Sequence, residues 1–450
     1  MSLRKIDEKI AIPNLADFQA AVPKWESIQC RLVTPMYGGG VKSAEPDIQQ
    51  PIRVTAIRGQ LRFWWRLLAS QKVFRLPENL NIRQAEFALW GGMNDGDESG
   101  KASAVFLRIK QFSSPKKIAY FNQWDNDKKT RLRNRNKELL PNSYVLFAMD
   151  SEDDPNKTNL IDKDLTWDLE WYLDRNADIF WSKKKENGQE IRDQFLTEKY
   201  QDTLSQVIET LRWWTTFGGM GARTRRGCGA FMVEKSTLPE IQKAISIDEI
   251  QGANCKLSVA NSNSNDAMDA WKLAVKRLRD FRQGVNVGRN EPSPEAKAAR
   301  KPAGRSRWTE HDAIRRLTNQ YPNQHKPEHE GGNNQFPRGM FGMPIIFYFV
   351  DGGEPSDTSL QPVGKERMAS PLIIRPILQN GQWKAAALLL PHDFSNLQVE
   401  LKIDNNNRRP VVLLDKGKAN DIKPIAGNGG GDPLSAFMNY FANPTTQQSD

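Results

Sequence analysis

The sequence predicts an α+β protein of two domains. Three observations lead there. Through the first half, strand and helix periodicities follow one another in the order strand, helix, strand, strand, helix, strand. The second half places short strand candidates around one basic helix. The 450 residues exceed what a single ordinary core serves, while 38% hydrophobic residues and 13 tryptophans are enough for two.

Taken in order, residues 1–22 read as an N-terminal arm. Residues 27–34 alternate and read as a strand that Pro35 stops, and Gly38, Gly39 and Gly40 open a loop that runs to Pro51. A helix follows over about residues 56–70, with Thr55 as its N-cap. Its Ile57, Leu61, Trp64, Leu67 and Leu68 share one arc. Arg58, Arg62 and Arg66 stack four apart on the neighbouring arc, with Trp65 at the boundary. Residues 104–112 and 143–149 read as strands. Residues 128–137 read as a solvated loop or helix end, and the acidic tract 150–174 as a surface insertion. Over residues 200–217, Leu204, Val207, Ile208, Leu211 and Trp214 share a helix face. Gly218 and Gly219 end that helix where left-handed backbone is commonly needed. Residues 229–234 close the unit as a strand. This order is the split β-α-β unit of a ferredoxin-like domain, an architecture also used by RNA-recognition modules, and it assigns residues 23–236 to the first domain.

The second domain, 237–450, is less regular and reads as a degenerate α+β unit. Residues 271–281 form a short basic helix. The stretch 284–310, rich in Gly, Pro, Ser, Lys and Arg, reads as a mobile basic loop. Residues 344–350, 371–378, 383–390 and 411–414 read as strands, and 433–441 as a terminal helix with Pro433 in its first turn.

Charge is segregated along the chain. The net charge is +10, which favours polyanionic partners. From Ile48 to Pro77 there are six Lys or Arg and no acid, and from Thr210 to Val233 four Arg and no acid. Between Asp150 and Asp174 nine acids face two lysines. A merely soluble surface does not need such separation. Three widely spaced cysteines, Cys30, Cys228 and Cys255, argue against a disulfide framework and a zinc cluster. No apolar run has the length of a membrane span, and residues 1–12 lack the apolar centre of a signal peptide, so the expectation is a cytoplasmic protein with no membrane contact.

Two motifs carry chemistry. One is the arginine-striped helix; the other is the loop Gly218-Gly219-Met220-Gly221-Ala222-Arg223-Thr224-Arg225-Arg226-Gly227-Cys228-Gly229. The loop lacks the Gly-Lys-Ser/Thr of a nucleotide P-loop, and Thr224 stands where a dinucleotide fingerprint needs its third glycine. Gly219 and Gly221 let backbone approach a ligand, while Arg223, Arg225 and Arg226 supply bidentate guanidinium groups suited to phosphate. A glycine-rich turn packed against its own domain is the alternative. For the stripe the alternative is a solvated face, although such faces mix signs and this one has no acid nearby. Trp65 either stacks on a base or joins the core. Phe63, off the apolar face, is left for a partner protein. Among four histidines, His325 and His329 with Glu330 have metal-ligand spacing, but Pro327 between them reads as loop. Nothing nominates a general base, so catalysis is the weaker reading, and no metal or cofactor is expected.

The strand ending Leu32-Val33-Thr34-Pro35-Met36-Tyr37-Gly38-Gly39, the helix motif Ile57-Arg58-Gly59-Gln60-Leu61-Arg62-Phe63-Trp64-Trp65-Arg66 and the glycine loop resemble the RAMP superfamily of CRISPR effector proteins. They resemble in particular the first-numbered subunit family of the type III-B Cmr complex. Gly304-Arg305-Ser306-Arg307-Trp308, Phe341-Gly342-Met343-Pro344 and Arg367-Met368-Ala369-Ser370-Pro371-Leu372 add to the likeness. The resemblance implies two ferredoxin-like (RRM-like) domains, the second degenerate. It implies RNA binding without catalysis, with crRNA and single-stranded target RNA as partners beside other Cmr complex subunits in antiviral defence. Carried onto this sequence, the RNA-contacting residues are Arg58, Arg62 and Arg66 of the helix and Gly219, Gly221, Arg223, Arg225 and Arg226 of the loop. Trp65 is a further candidate, and Arg305, Arg307 and Trp308 are a second, mobile contact. A metal-independent crRNA-processing endoribonuclease and a pure protein scaffold remain as alternatives.

Overall fold

The structure is a computed structural model. It describes residues 23–444 except 42–44, 77–79, 94–99, 120–123, 126–129, 132–142, 146–158, 299–303, 329–333, 350, 405–406 and 416. The arm 1–22 and most of the basic stretch 128–137 therefore lie outside the described residues.

The first half is built on a four-stranded antiparallel sheet. Its strands are β1 (Glu26–Leu32), β2 (Val105–Phe112), β3 (Thr166–Leu173) and β4 (Phe231–Ser236), arranged β4-β1-β3-β2. Numbered along the chain, that is fourth, first, third, second. Two helices, α1 (Val54–Ser70) and α3 (Thr197–Phe217), join these strands and pack together over one face. A third helix, α2 (Ile82–Trp90), packs on α1. β1 buries Ile28, Cys30 and Leu32, the side of the pleat that meets the helices.

The third strand is a correction. It lies in the acidic tract, at Thr166–Leu173, and not at residues 143–149. There Ser143–Val145 is a single 3₁₀ turn, and 146–149 lie outside the described residues. Trp167, Leu169, Trp171 and Leu173 are buried on one side of the strand; on the other Asp168 and Tyr172 are half-buried and Glu170 is covered by its ion pairs with Arg108 and Lys110, so the tract carries the alternation of a strand. Two of the tract's carboxylates, Asp168 and Glu170, stand on the same side of this central strand.

In the second half, β5 (Lys256–Val259), β6 (Leu372–Gln379) and β7 (Gln382–Leu389) form a sheet in the order β5-β7-β6. Helices α4 (Ala267–Gln283) and α6 (Pro433–Ala442) cover one face. The other face sends Ile373 and Leu388 into the core of the first half. Both faces are thus buried, which is why six consecutive residues of β6 are buried. A separate four-stranded sheet, Ile345–Phe347, Thr358–Pro362, Val399–Lys402 and Arg408–Val411, lies beyond a short helix, α5 (Glu310–Thr318).

Candidate nucleic-acid interface

The helix α1 forms because its apolar residues recur at helical spacing, and Ile57, Leu61, Trp64, Trp65 and Leu68 are its buried face. It begins two residues before the sequence reading, at Val54. Arg53 is the N-cap and no side chain caps the helix, so Thr55 does not serve that role. Trp65 is only 1% exposed and donates its indole N–H to Gln206 Oε1 at 3.2 Å. A ring enclosed between α1 and α3 has no face for a base, and the stacking assignment to Trp65 is withdrawn.

The three stripe arginines do not share one environment. Arg62 Nε and Arg66 Nη1 both donate to Oε1 of Glu86, the second at 2.7 Å, and the Glu86 side chain is 4% exposed. The acid missing from the local sequence is supplied by α2. Arg58 has no hydrogen-bond or ion-pair partner among the described residues, and its Nε is buried without an acceptor. α2 itself starts with a capping box, Asn81 accepting from the Gln84 N–H and Gln84 accepting from the Asn81 N–H. The pair Asn81/Gln84 before an apolar run was the signal that would have placed Glu86.

The glycine loop packs inward. Ala222 N–H donates to Tyr37 O at 2.7 Å and Gly229 N–H to Pro35 O at 2.8 Å, so the loop is paired with the chain leaving β1. Gly218 is extended (φ −77°) and not left-handed; the left-handed glycines are Gly221, Gly227 and Gly229. A Cβ on Gly221 would stand 2.5 Å from Tyr37 O, and one on Gly227 would stand 2.5 Å from Trp271 Nε1. Gly219 would set a Cβ 3.1 Å from the Thr224 side chain. These glycines meet their own chain, the alternative that the sequence left open.

The loop arginines reach across to the second half. Arg225 donates to Ser370 O, with its Cζ 5.4 Å from the centre of the Phe63 ring. Phe63 is thereby engaged within the chain. Arg226 donates to Phe341 O at 3.0 Å and Leu372 O at 3.2 Å. In the opposite direction, Arg375 of β6 donates to Phe231 O at 2.8 Å and to Gly218 O. Arg223, in left-handed conformation (φ 56°), donates to Val145 O at 2.9 Å. Among the described residues, no carboxylate pairs with Arg225, Arg226 or Arg375. Burial, with Arg282 and other loop arginines nearby, pulls Arg226 down to about 10, and burial alone pulls Arg375 down to about 9. The result is a reciprocal arginine–carbonyl clasp between the halves.

The stretch around Arg305 is held in place. Arg305 pairs with Asp312 and Glu328, each at 2.8 Å, and Arg307 donates to Asn290 Oδ1 at 2.8 Å. Trp308 is fully buried, with its indole N–H on Arg282 O at 3.0 Å and its ring edge-on to Phe281. Backbone bonds Asn290 N to Arg305 O and Arg307 N to Gly288 O tie the two ends of the stretch together. The expectation of a mobile contact at Arg305, Arg307 and Trp308 is therefore corrected: the described ends of the stretch, 284–298 and 304–310, are stitched to each other and to α5. His325 bonds Glu354, while His329 and Glu330 lie outside the described residues. Among the described residues, no group of three or more His, Cys, Asp or Glu could hold a metal, and no helix is long and apolar enough to cross a membrane.

Comparison with known proteins gives three findings. Residues 29–232 match the model of the RAMP superfamily. No curated protein sequence matches the chain. Among solved structures, apo Cmr1 from Pyrococcus furiosus is similar at 13% identity and TM-score 0.42, covering 82% of this chain and 89% of that one. A chain of the type III-B Cmr-β complex bound to cognate target RNA and AMPPnP is similar at 14% identity and TM-score 0.41, covering 89% and 98%.

Proposed function

We propose that this chain, RAMP superfamily sequence over residues 29–232, is a non-catalytic RNA-binding subunit of a type III-B CRISPR effector (Cmr) complex. Its ligand is the 3′ region of crRNA or the target RNA. The observation that carries the reading is that the family match spans both the arginine-striped helix and the glycine loop. The strand order fourth-first-third-second with two helices on one face is read as a ferredoxin-like domain. In the second half β5, α4, β6 and β7 follow the same plan without a fourth strand, a degenerate copy.

The RNA-facing groups in this reading are Arg58, Arg62, Arg66 and Arg223. Arg225 and Arg226 hold the loop that carries Arg223. Guidance comes from base pairing, so the protein grips phosphate and binding falls steeply with salt. The test is binding of purified protein to single-stranded RNA across a salt series, with the RNA followed on a denaturing gel. Salt-sensitive binding weakened by Arg58→Ala/Arg62→Ala, with the RNA intact, is the expected outcome. Discrete cleavage products without added metal would replace it by an endoribonuclease. RNA-independent loss of assembly would replace it by a scaffold.

A further inference from the structure

We propose that Gly59 of α1 is an RNA-contacting position, where the missing side chain lets the sugar–phosphate backbone lie against the helix. The inference rests on the RNA-binding reading above and adds to it a residue that carries no charge.

Gly59 is the one glycine in the interior of an α-helix among the described residues. Glycine is among the poorest residues for such a place, because it loses the most conformational freedom on folding and has no side chain to pack. Gly221 and Gly227 are explained by the protein itself, being left-handed and crowded by Tyr37 and Trp271. Gly59 has neither reason. It is helical and exposed, and a Cβ added to it would meet no described atom within 4 Å. Phe63, one turn on, is the side chain placed to lean over it. Its ring instead meets Trp64, at 5.3 Å between ring centres, and the Arg225 guanidinium. This bare stretch of main chain is left open to something outside the protein.

The neighbours say which ligand fits. Arg62 and Arg66 follow Gly59 by three and seven residues, so all three share one side of the helix. The two guanidinium groups share the single carboxylate of Glu86, and the Arg66 side chain is 48% exposed. Flat main chain beside guanidinium groups suits a sugar–phosphate backbone: phosphates meet the arginines while the sugar closes on the glycine. A base would need a ring to stack on, and Trp64 and Trp65 of α1 are buried. A Cβ at this position would hold the backbone off the helix without removing any charge. Helix propensity works in the other direction, since alanine is the best helix former. One methyl group should therefore weaken binding and favour the fold.

The experiment measures the affinity of the full chain for a fluorescently labelled oligouridine, together with the urea midpoint of unfolding, for wild type, Gly59→Ala and Gly252→Ala. Gly252 ends the short helix Ile247–Gly252, is exposed, and likewise has nothing within 4 Å of an added Cβ, which makes it the control. Gly59→Ala is expected to bind about tenfold more weakly, the effect of one methyl group forced into a close contact. It should unfold at no lower urea than wild type, and Gly252→Ala should bind as wild type does. Wild-type affinity in Gly59→Ala would overturn the proposal while leaving the RNA-binding reading standing. A wild type that binds no RNA would overturn both. A lowered urea midpoint in Gly59→Ala would reject the proposal, since the glycine would then serve the fold. An equal loss of affinity in Gly252→Ala would reject it as well, since a methyl group on any exposed helix would then have the same effect.

Discussion

Trp308 sits in a run of arginines, the setting of a nucleic-acid contact, yet it is wholly enclosed. The surrounding Gly, Ser and Arg describe its chain neighbours and not its spatial ones, which are Phe281 and the Arg282 carbonyl. Trp65 of α1 repeats the lesson. Eight of the 13 tryptophans are among the largest fully buried side chains, so in this chain indoles are core material first. Trp308→Ala is expected to lower stability in urea by about 3–5 kcal/mol through loss of burial and a residual cavity. A loss under about 1 kcal/mol would mean that the ring is not enclosed.

At the scale of elements, pairing across chain distance decides what a charge does. Arg62 and Arg66 look unpaired in sequence because their carboxylate comes from α2, whose capping box was legible but overlooked. The same holds where α3 meets the short helix Ile247–Gly252. Arg212, only 6% exposed, donates to Glu209, to Glu249 and to the carbonyls of Lys243 and Ala244. Its hydrogen bond holds Glu249 down to about 2 from the ordinary 4.5. A carboxyl depressed in the folded state adds stability above its unfolded value and loses it as pH falls through the folded one. Thermal stability should therefore decline between about pH 4.5 and about pH 2 as Glu249 protonates, and Arg212→Met should flatten that part of the profile. A variant whose profile runs parallel to wild type through this window would show that the pair does not contribute.

On the scale of the whole molecule, the clasp joins halves that the sequence presents as separate. Loop arginines donate to carbonyls beside β6, and Arg375 of β6 donates to carbonyls at both ends of the loop segment. Arg375→Met would strip donors from Gly218 O, Phe231 O and Pro376 O. Each buried carbonyl left without a partner costs about 1–3 kcal/mol, so a loss of about 3 kcal/mol or more is expected in equilibrium unfolding. A fully stable Arg375→Met protein would show that the clasp is not what holds the two halves.

The sequence by itself determined the alternation of the four sheet strands with α1 and α3 in the first half, the apolar face of α1, and the concentration of arginine at two places. Those properties are written in periodicity and composition, which depend on neighbours within a few residues of each other. Only the tertiary structure decided that the third strand runs through the acidic tract, because the acids before it and the two carboxylates between its buried residues mask the alternation of the tryptophans. It also decided which arginines face out. Arg62 and Arg66 share the Glu86 carboxylate and Arg66 remains exposed, while Arg225, Arg226 and Arg375 bind carbonyls between the halves. A guanidinium reads the same in sequence whether its acceptor is a phosphate or the protein's own backbone, and the acceptors here come from more than a hundred residues away.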